Sequence, residues 1–258
     1  MKHLVPPGSS SLGLSTDRIL LAAADCVAAG RKKSLLHLDI GSGHGDLITL
    51  LRRKGLVAHS AACDYTPTLM ALPDVIVSVA NLNTEALPFA DASFDLITCT
   101  EVIEHLEHYR ETLREMYRVL KPDGQLVLTT PNILNLKSRI RFLMFGFHNL
   151  FGPLHTLESN LHLTGGHINP VSSFYLSHSL IDAGFTGLRL SIDKRQSSST
   201  VWLLLLYVPI KLFSKLIVRK EKLRYKTMDA HNEPYVTQIN SIDVLLGRTI
   251  VVGCSKPG

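Results

Sequence analysis

The sequence is short of cysteine, of aromatic residues and of charge. Its 258 residues include four cysteines and one tryptophan, with 7% aromatic and 19% charged residues. The cysteines are scattered without a Cys-x-x-Cys pair, and three of them lie in apolar runs. Cysteine in such a setting usually behaves as a small buried hydrophobe. We therefore expect a reducing compartment, with neither disulfides nor a zinc site.

Internal repeats, a signal-peptide pattern and a chain-wide basic charge are also missing. The start of the chain predicts a cytoplasmic protein, and residues 1–14, with two prolines and a serine run, predict a flexible arm. Residues 201–258 hold nine Lys/Arg against four Asp/Glu, which accounts for the whole net charge of +5. Residues 1–200 are therefore neutral, and we expect no nucleic-acid partner.

Apolar runs and helix-like segments alternate along the chain. The hydrophobic content of 45% suits one well-buried domain over residues 1–258. The alternation predicts an α/β fold, a mostly parallel sheet with right-handed crossovers and helices on both faces. The predicted strands are 35–40, 57–64, 74–81, 94–100, 125–130, 185–193 and 249–255. The predicted helices are 17–29, 46–54, 107–120, 133–145 and 172–183, with a turn at 121–124.

Three glycines follow the first predicted strand at alternate positions, Gly41, Gly43 and Gly45, and a helical pattern starts directly after them. This arrangement offers exposed backbone to a ligand. The spacing is tighter than that of a dinucleotide fingerprint, and the carboxylate of Asp39 would repel a pyrophosphate but can hold an ammonium, directly or through water. Asp64, at the end of the second strand, can accept both ribose hydroxyls. Together these features suit S-adenosylmethionine.

Four segments in order extend this pattern, namely 38–45, 81–89, 93–106 and 118–124. They resemble the class I S-adenosylmethionine-dependent methyltransferases of the small-molecule type, which include O-methyltransferases of ubiquinone biosynthesis. The resemblance covers roughly residues 30–195. It implies a Rossmann-like seven-stranded sheet whose last strand is antiparallel, here with a helical insertion before that strand.

The resemblance also implies a set of cofactor-binding residues. The backbone of Gly41 and Gly43 would lie alongside the methionine part of the cofactor, and Asp64 would bind the ribose. Asn81 stands where the family usually has Asp, but its amide oxygen can still accept from the adenine amino group. We therefore expect weaker cofactor binding at most. The full set is Asp39, Gly41, Ser42, Gly43, Gly45, Asp64, Tyr65, Asn81, Leu82, Thr100 and Glu101.

The candidate catalytic residues are Glu101, His105 and His167. A methyltransferase mainly aligns the acceptor with the methyl group, and a hydroxyl acceptor also needs a general base. His105 follows the fourth strand and has a suitable pKa range, although a structural histidine fits equally well. His167 belongs to the segment 146–170, which also contains His148, His155 and His162 and which we predict to be a lid-like loop. We expect a small-molecule or lipid-linked acceptor, methylated at oxygen.

Two alternatives remain open. Glu101-x-x-Glu104-His105 also resembles the metal-binding segment of small-RNA 3′-end 2′-O-methyltransferases, and His162 or His167 could complete such a set. That reading predicts metal-dependent RNA methylation, which the neutral first 200 residues disfavour, and we assign no metal ligands. The second alternative is a non-catalytic cofactor-binding subunit, although the intact glycines, Asp39 and Asp64 argue against it.

The segment 196–248 is a basic, apolar insertion. Residues 201–218 are mostly apolar, but Pro209 and two lysines make them a poor transmembrane helix. Residues 211–226 hold seven basic residues and one acid, and the basic side chains of one helical face are Lys211, Lys215, Arg219 and Lys222. This pattern predicts peripheral association of 201–226 with an anionic membrane surface at its cytoplasmic face. It equally fits a helix packed on the sheet or in a dimer seam.

Overall fold

The computed structural model describes residues 19–21, 24, 35–157 and 166–258. The predicted arm at 1–14, most of the predicted helix at 17–29 and His162 lie outside the described residues. Cys63, Cys99 and Cys254 are buried free thiols, in agreement with the expectation from their apolar surroundings.

Seven strands form one mixed sheet in the order β3-β2-β1-β4-β5-β7-β6. Strands β1 to β5 pair in parallel, whereas β7 is antiparallel to both of its neighbours, β5 and β6. The predicted fold class is therefore confirmed. The strands are β1 Leu35–Ile40, β2 Val57–Asp64, β3 Val77–Val79, β4 Phe94–Thr100, β5 Leu120–Pro131, β6 Thr186–Ile192 and β7 Thr249–Ser255.

Three strands differ from their predicted bounds, and β6 does so by one residue at each end. β3 is limited to three residues, because it lies at the edge of the sheet and pairs only with the last three residues of β2. β5 begins at Leu120 and includes the predicted turn at 121–124, so that prediction was wrong. Phe94 of β4 pairs with Leu120, but Leu96 pairs with Gln125. The four residues between them therefore bulge out of the ladder, with Asp123 at φ +61°.

Seven helices of the described part of the chain surround the sheet. They are α1 Asp46–Arg53, α2 Tyr109–Val119, α3 Leu136–Phe145, α4 Ser173–Asp182, α5 Thr200–Lys220, α6 Glu233–Gln238 and α7 Ile242–Leu246. Helix α3 starts later than predicted, because the Asn135 side chain caps it by accepting a hydrogen bond from the Ser138 N–H. The Ser172 side chain caps α4 in the same way.

Alternate residues of the central strands supply two separate apolar layers. Leu38 and Ile40 of β1 pack in one layer with residues of α2 and α4, whereas Leu35 packs in the other with Leu47 and Leu51 of α1. Strands covered on both faces are expected to be apolar throughout, which explains the near-continuous apolar runs of β1 and β4. The carboxyl ends of β1, β2 and β4 meet at one edge of the sheet.

The segment between β6 and β7 is helical, and its longest helix lies on the surface. Helix α5 continues through Pro209, and none of its residues is buried. One side is partly buried, and there Asn240 donates a hydrogen bond to Ser214 Oγ at 2.6 Å. The other side exposes large apolar residues such as Leu204 and Val208. Within the described ranges, Ser197–Tyr225 is the one stretch whose length and composition (mean hydropathy 1.9) would allow it to cross a membrane.

Candidate functional site

The three glycines after β1 form a turn whose members differ in the space around them. All three have positive φ: +70° at Gly41, +48° at Gly43 and +80° at Gly45. A Cβ on Gly41 would lie 2.2 Å from Val102 Cγ2, and a Cβ on Gly45 would lie 2.9 Å from Leu72 Cδ1. A Cβ on Gly43 would meet nothing within 4 Å. Gly43 therefore leaves an open space beside the main chain, as a bound ligand requires.

Asp64 ties the end of β2 to this turn. Its buried carboxylate accepts hydrogen bonds from the Gly43 N–H at 2.9 Å and from the Thr66 N–H at 3.4 Å. The Gly41 N–H donates to the carbonyl of Cys63 at 2.8 Å, which adds a second link between the two strand ends. A carboxylate has lone pairs beyond these two bonds, so Asp64 can still accept from a ligand.

A cleft of about 260 Å³ opens at this edge of the sheet. It brings together seven of the predicted site residues, which are Gly41, Asp64, Tyr65, Asn81, Leu82, Glu101 and His105. Four further lining residues were missed by the sequence analysis, namely Ala80, Asn83, Val102 and Leu106. Each of them is next to a predicted site residue in the chain, so proximity to the motifs was the available signal. The cleft lining does not include Asp39, Ser42, Gly43, Gly45, Thr100 or His167.

Asp39 lies behind the glycine turn in a chain of buried polar groups. Thr98 Oγ1 donates to Asp39 Oδ1 at 2.6 Å, and His37 Nε2 lies 2.7 Å from the same hydroxyl. Since the Thr98 hydroxyl has one proton, His37 Nε2–H is the donor, and His37 Nδ1 accepts from Ser60 Oγ at 3.1 Å. Burial raises the pKa of Asp39 to about 7 and lowers the pKa of His37 to about 3. The sequence analysis found Asp39 but not its three partners.

Asn81 is held by two hydrogen bonds at the start of a turn. Its backbone N–H donates to Glu85 Oε2 at 2.8 Å, and its side-chain oxygen accepts from the Asn83 N–H at 3.1 Å. The amide oxygen has a second lone pair, so it can also accept from a ligand in the cleft. Substitution of the usual Asp by Asn thus keeps an acceptor at this position.

Glu101 lies at the other end of the cleft and has an unusual backbone conformation. Its φ of +54° is rare for a residue with a side chain, and its N–H donates to the carbonyl of Thr129 at 3.1 Å. Thr129 Oγ1 donates in turn to Glu101 Oε1 at 3.3 Å. Burial raises the pKa of Glu101 to about 7, although the hydrogen bond from Thr129 opposes part of that effect.

Glu104, His105 and His167 form a compact group directly beside Glu101. Glu104 is fully buried; its Oε2 accepts from Thr130 Oγ1 at 3.1 Å, while its Oε1 has no hydrogen-bond partner. The rings of His105 and His167 meet edge to face at 4.6 Å between centroids. One potential ligand atom from each of the three residues lies within 4.8 Å of those of the other two.

The group owes its shape to residues 166–169, which pack against the end of β4. His105 Nδ1 lies 2.9 Å from the carbonyl of Gly166, and the Glu104 carbonyl accepts from the N–H groups of Ile168 and Asn169. Burial raises the pKa of Glu104 well above its usual range and, together with the nearby His105, lowers the pKa of His167 to about 4. His167 contacts the His105 ring but does not itself line the cleft.

The other described histidines of the predicted lid lie outside this group. The ring of His148 stacks on that of Phe142 at 4.5 Å, and its Nδ1 lies 3.3 Å from Ser138 Oγ. His155 is exposed. Of the described histidines of this segment, His167 is the one that contacts a cleft residue, His105, and its functional role stays a prediction.

Residues 38–128 match a protein-family model described as a methyltransferase domain. The matched segment contains the glycine turn, Asp64, Asn81 and the Glu101–His105 segment. Curated relatives include a demethylmenaquinone methyltransferase of Deinococcus radiodurans, 30% identical over 46% of this chain and 51% of that protein. A probable S-adenosylmethionine-dependent methyltransferase of Mycobacterium tuberculosis is 34% identical over 61% of this chain and 50% of that protein. The chain thus spans about half the length of the curated relatives it matches.

Residues 38–128 of this chain therefore carry a methyltransferase domain of the S-adenosylmethionine-dependent kind. Its fold is also that of a solved methyltransferase of Archaeoglobus fulgidus, with a TM-score of 0.51 over 93% of this chain and 94% of that one, at 17% identity.

The methyltransferase cleft fits S-adenosylmethionine by the chemistry of its donors. The open space at Gly43 would accept the amino-acid part of the cofactor without a clash. Asp64 offers carboxylate oxygens that could accept from the ribose hydroxyls, and Asn81 and Leu82, the residues predicted to contact the adenine, line the same cleft. Asp39 does not line the cleft, so its carboxylate could act on the cofactor's ammonium only at a distance or through water.

Proposed function

We propose that this methyltransferase transfers a methyl group from S-adenosylmethionine to an oxygen atom of a small or lipid-linked acceptor. S-adenosylmethionine supplies, when bound, a methyl group on an already activated leaving group. The observation that carries the proposal is one cleft lined both by Asp64 and Asn81, the proposed nucleoside end, and by Glu101 and His105, the proposed proton-accepting end. Holding an acceptor in line with the methyl group is the main catalytic requirement.

Glu101 is the proposed general base. A carboxylate whose pKa is raised to about 7 is half deprotonated near neutral pH, which suits removal of a hydroxyl proton. The Thr129 hydroxyl and backbone fix Glu101 in position. His105 then contacts the acceptor, and His167 holds the His105 ring by their edge-to-face contact.

The exposed helix α5 supports a lipid-linked acceptor. Its apolar side chains Leu212, Phe213, Leu216 and Ile217 are all more than half exposed, while Lys211, Lys215 and Arg219 add positive charge beside them. Such a helix binds in the interface of an anionic membrane. Helix α3, which contacts α5, exposes Phe142–Phe145 as well. A quinone acceptor would agree with the relatives described as demethylmenaquinone methyltransferases, and one relative is described as a C-methyltransferase.

A labelling experiment tests the transfer and the atom methylated. The chain is incubated with S-adenosylmethionine carrying a deuterated methyl group and with a cell extract, and the lipid and aqueous fractions are analysed by mass spectrometry and NMR. We expect label in the lipid fraction as an O-methyl group, and its loss in Glu101→Gln and in Asp64→Ala. Only Asp64→Ala should also weaken cofactor binding in calorimetry. Label on carbon would refute the oxygen assignment, and bound cofactor without labelled product would indicate a non-catalytic subunit.

Liposome sedimentation tests the membrane part of the proposal. Charge reversal of Lys211, Lys215 and Arg219 to Glu should abolish sedimentation with anionic vesicles, because each substitution replaces attraction by repulsion. Lys222 is left unchanged, since its Nζ already pairs with Glu233 at 2.5 Å. A control with the same charge change carries Arg53→Glu, Lys54→Glu and Arg114→Glu, all exposed and outside α3 and α5. Equal sedimentation of the two variants would contradict interfacial binding by α5.

A further inference from the structure

Two buried polar atoms beside the cleft have no hydrogen-bond partner. They are Oε1 of Glu104 and Nδ1 of His167, and Glu104 is fully buried. Leaving a buried polar atom unpaired costs about 1–3 kcal/mol, so native proteins seldom keep such atoms without a reason. Both atoms belong to residues that, with His105, converge on one point. Two residues that each have an unpaired buried electron-pair donor, grouped with a third potential ligand, suit a cation.

We propose that Glu104, His105 and His167 bind one divalent transition-metal ion at the acceptor end of the cleft. Their potential ligand atoms lie within 4.8 Å of one another. Nitrogen and oxygen ligands lie about 2.1 Å from such an ion and therefore about 3.4 Å from each other in a tetrahedral site. Side-chain rotation that brings these atoms closer by up to roughly 1.4 Å closes the site.

The ligand set determines the kind of ion. One carboxylate and two imidazoles suit Zn²⁺, Mn²⁺, Fe²⁺ or Co²⁺, whereas Mg²⁺ and Ca²⁺ prefer oxygen ligands throughout. Three protein ligands leave at least one position open, which is typical of catalytic metal sites.

The surroundings of the ligands are also those of a metal site. Metal-bound histidines usually donate their second ring N–H to a carbonyl or a carboxylate, and ligating carboxylates are hydrogen-bonded in turn. His105 Nδ1 lies 2.9 Å from the Gly166 carbonyl, and Glu104 Oε2 accepts from Thr130 Oγ1. These contacts hold both ligands in place without using the Oε1 atom of Glu104.

The position of the site gives the ion a role in the proposed reaction. His105 lines the cleft next to Glu101, so the open position of the ion would face the acceptor. A divalent ion there polarises an acceptor oxygen and favours its deprotonation. This role rests on the proposed methyl transfer to oxygen, whereas binding of the ion does not.

Metal binding is measured directly on the full chain, without cofactor or acceptor. The chain is freed of metal with a chelator and titrated with Mn²⁺ and with Zn²⁺ by calorimetry, and with Co²⁺ by absorption spectroscopy, which reports nitrogen and oxygen ligation. We expect one ion per chain and a rise in Tm on binding. Glu104→Gln and His167→Gln should each weaken binding on the order of 10- to 100-fold or more. His148→Gln, a histidine of the same segment outside the group, should bind as the wild type does.

The variants keep the proposal falsifiable even if one of them does not fold. Circular dichroism identifies a misfolded variant, and the partly exposed His105→Gln then replaces it in the comparison. Absence of stoichiometric binding to the wild-type chain, or unchanged binding in the folded ligand variants, would overturn the site. Stoichiometric binding with no methylated product would leave the metal site in place and refute the proposed reaction instead.

Discussion

Gly43 provides the sharpest test of where the cofactor lies, because the chain contains a matched control. Gly43 and Gly55 both have positive φ, +48° and +66°, and a Cβ on either would meet nothing within 4 Å. The two glycines differ in their position relative to the cleft. Gly43 donates to Asp64 at the cleft, whereas Gly55 follows α1 at the opposite end of β2.

Alanine at either glycine should cost about the same stability. A non-glycine residue in the left-handed region costs about 1–2 kcal/mol, and neither Cβ adds a clash. For a chain of this size that cost lowers Tm by about 2–4 °C per kcal/mol. The two variants should therefore melt close to each other and a few degrees below the wild type, as measured by circular dichroism.

Cofactor affinity should separate the two variants. The Cβ of Gly43→Ala would occupy the space left open beside the turn, so we expect its affinity for S-adenosylmethionine to fall by about tenfold or more, which is about 1.4 kcal/mol. Gly55→Ala should bind as the wild type does. Calorimetric titration of the three proteins measures this difference. Equal affinity in the two variants would refute the placement of the cofactor against Gly43.

Two further predictions concern stability. The pKa of His37 is about 3 in the native state against 6.5 for the free side chain, so below pH 6.5 the unfolded chain gains a proton that the native state lacks. At 1.36 kcal/mol per pH unit the stability of the wild type should therefore fall by about 2 kcal/mol relative to that of His37→Gln between pH 6.5 and 4.5, as measured by urea unfolding of both proteins. The raised pKa of Asp39 acts in the opposite direction between pH 3.8 and 7, but it is present in both proteins and cancels; parallel pH profiles would contradict the reasoning. Asn132→Ala should cost about 2–4 kcal/mol in the same assay, because buried Asn132 donates to the carbonyls of Val244 and Gly247, and a loss below about 1 kcal/mol would show that water replaces these bonds.

The bounds of four strands follow from the sequence alone. β1, β2, β4 and β7 begin and end where predicted, because each is an apolar run flanked by glycine, charge or a turn. The predicted helix ends and the predicted bounds of the edge strand β3 were less accurate. They depend on capping by Asn135 and Ser172 and on the length of the neighbouring strand, which local patterns do not reveal.

Much of the cleft lining was also predictable from the sequence. Gly41, Asp64 and Glu101 directly follow or end β1, β2 and β4, and the carboxyl ends of parallel strands meet at one edge of a sheet. Knowing the strands therefore places these residues together, in agreement with the cleft lining.

Three features were decided only by the tertiary structure. Asp39 faces Thr98 and His37 behind the turn, since the pairing of β1 with β4 determines which side chains meet. His167 contacts His105 across 62 positions of the chain because residues 166–169 return to the end of β4. Helix α5 keeps its apolar side exposed, although its composition suits burial equally well. Periodicity and spacing report which residues are near in the chain, whereas contacts between distant segments arise from packing.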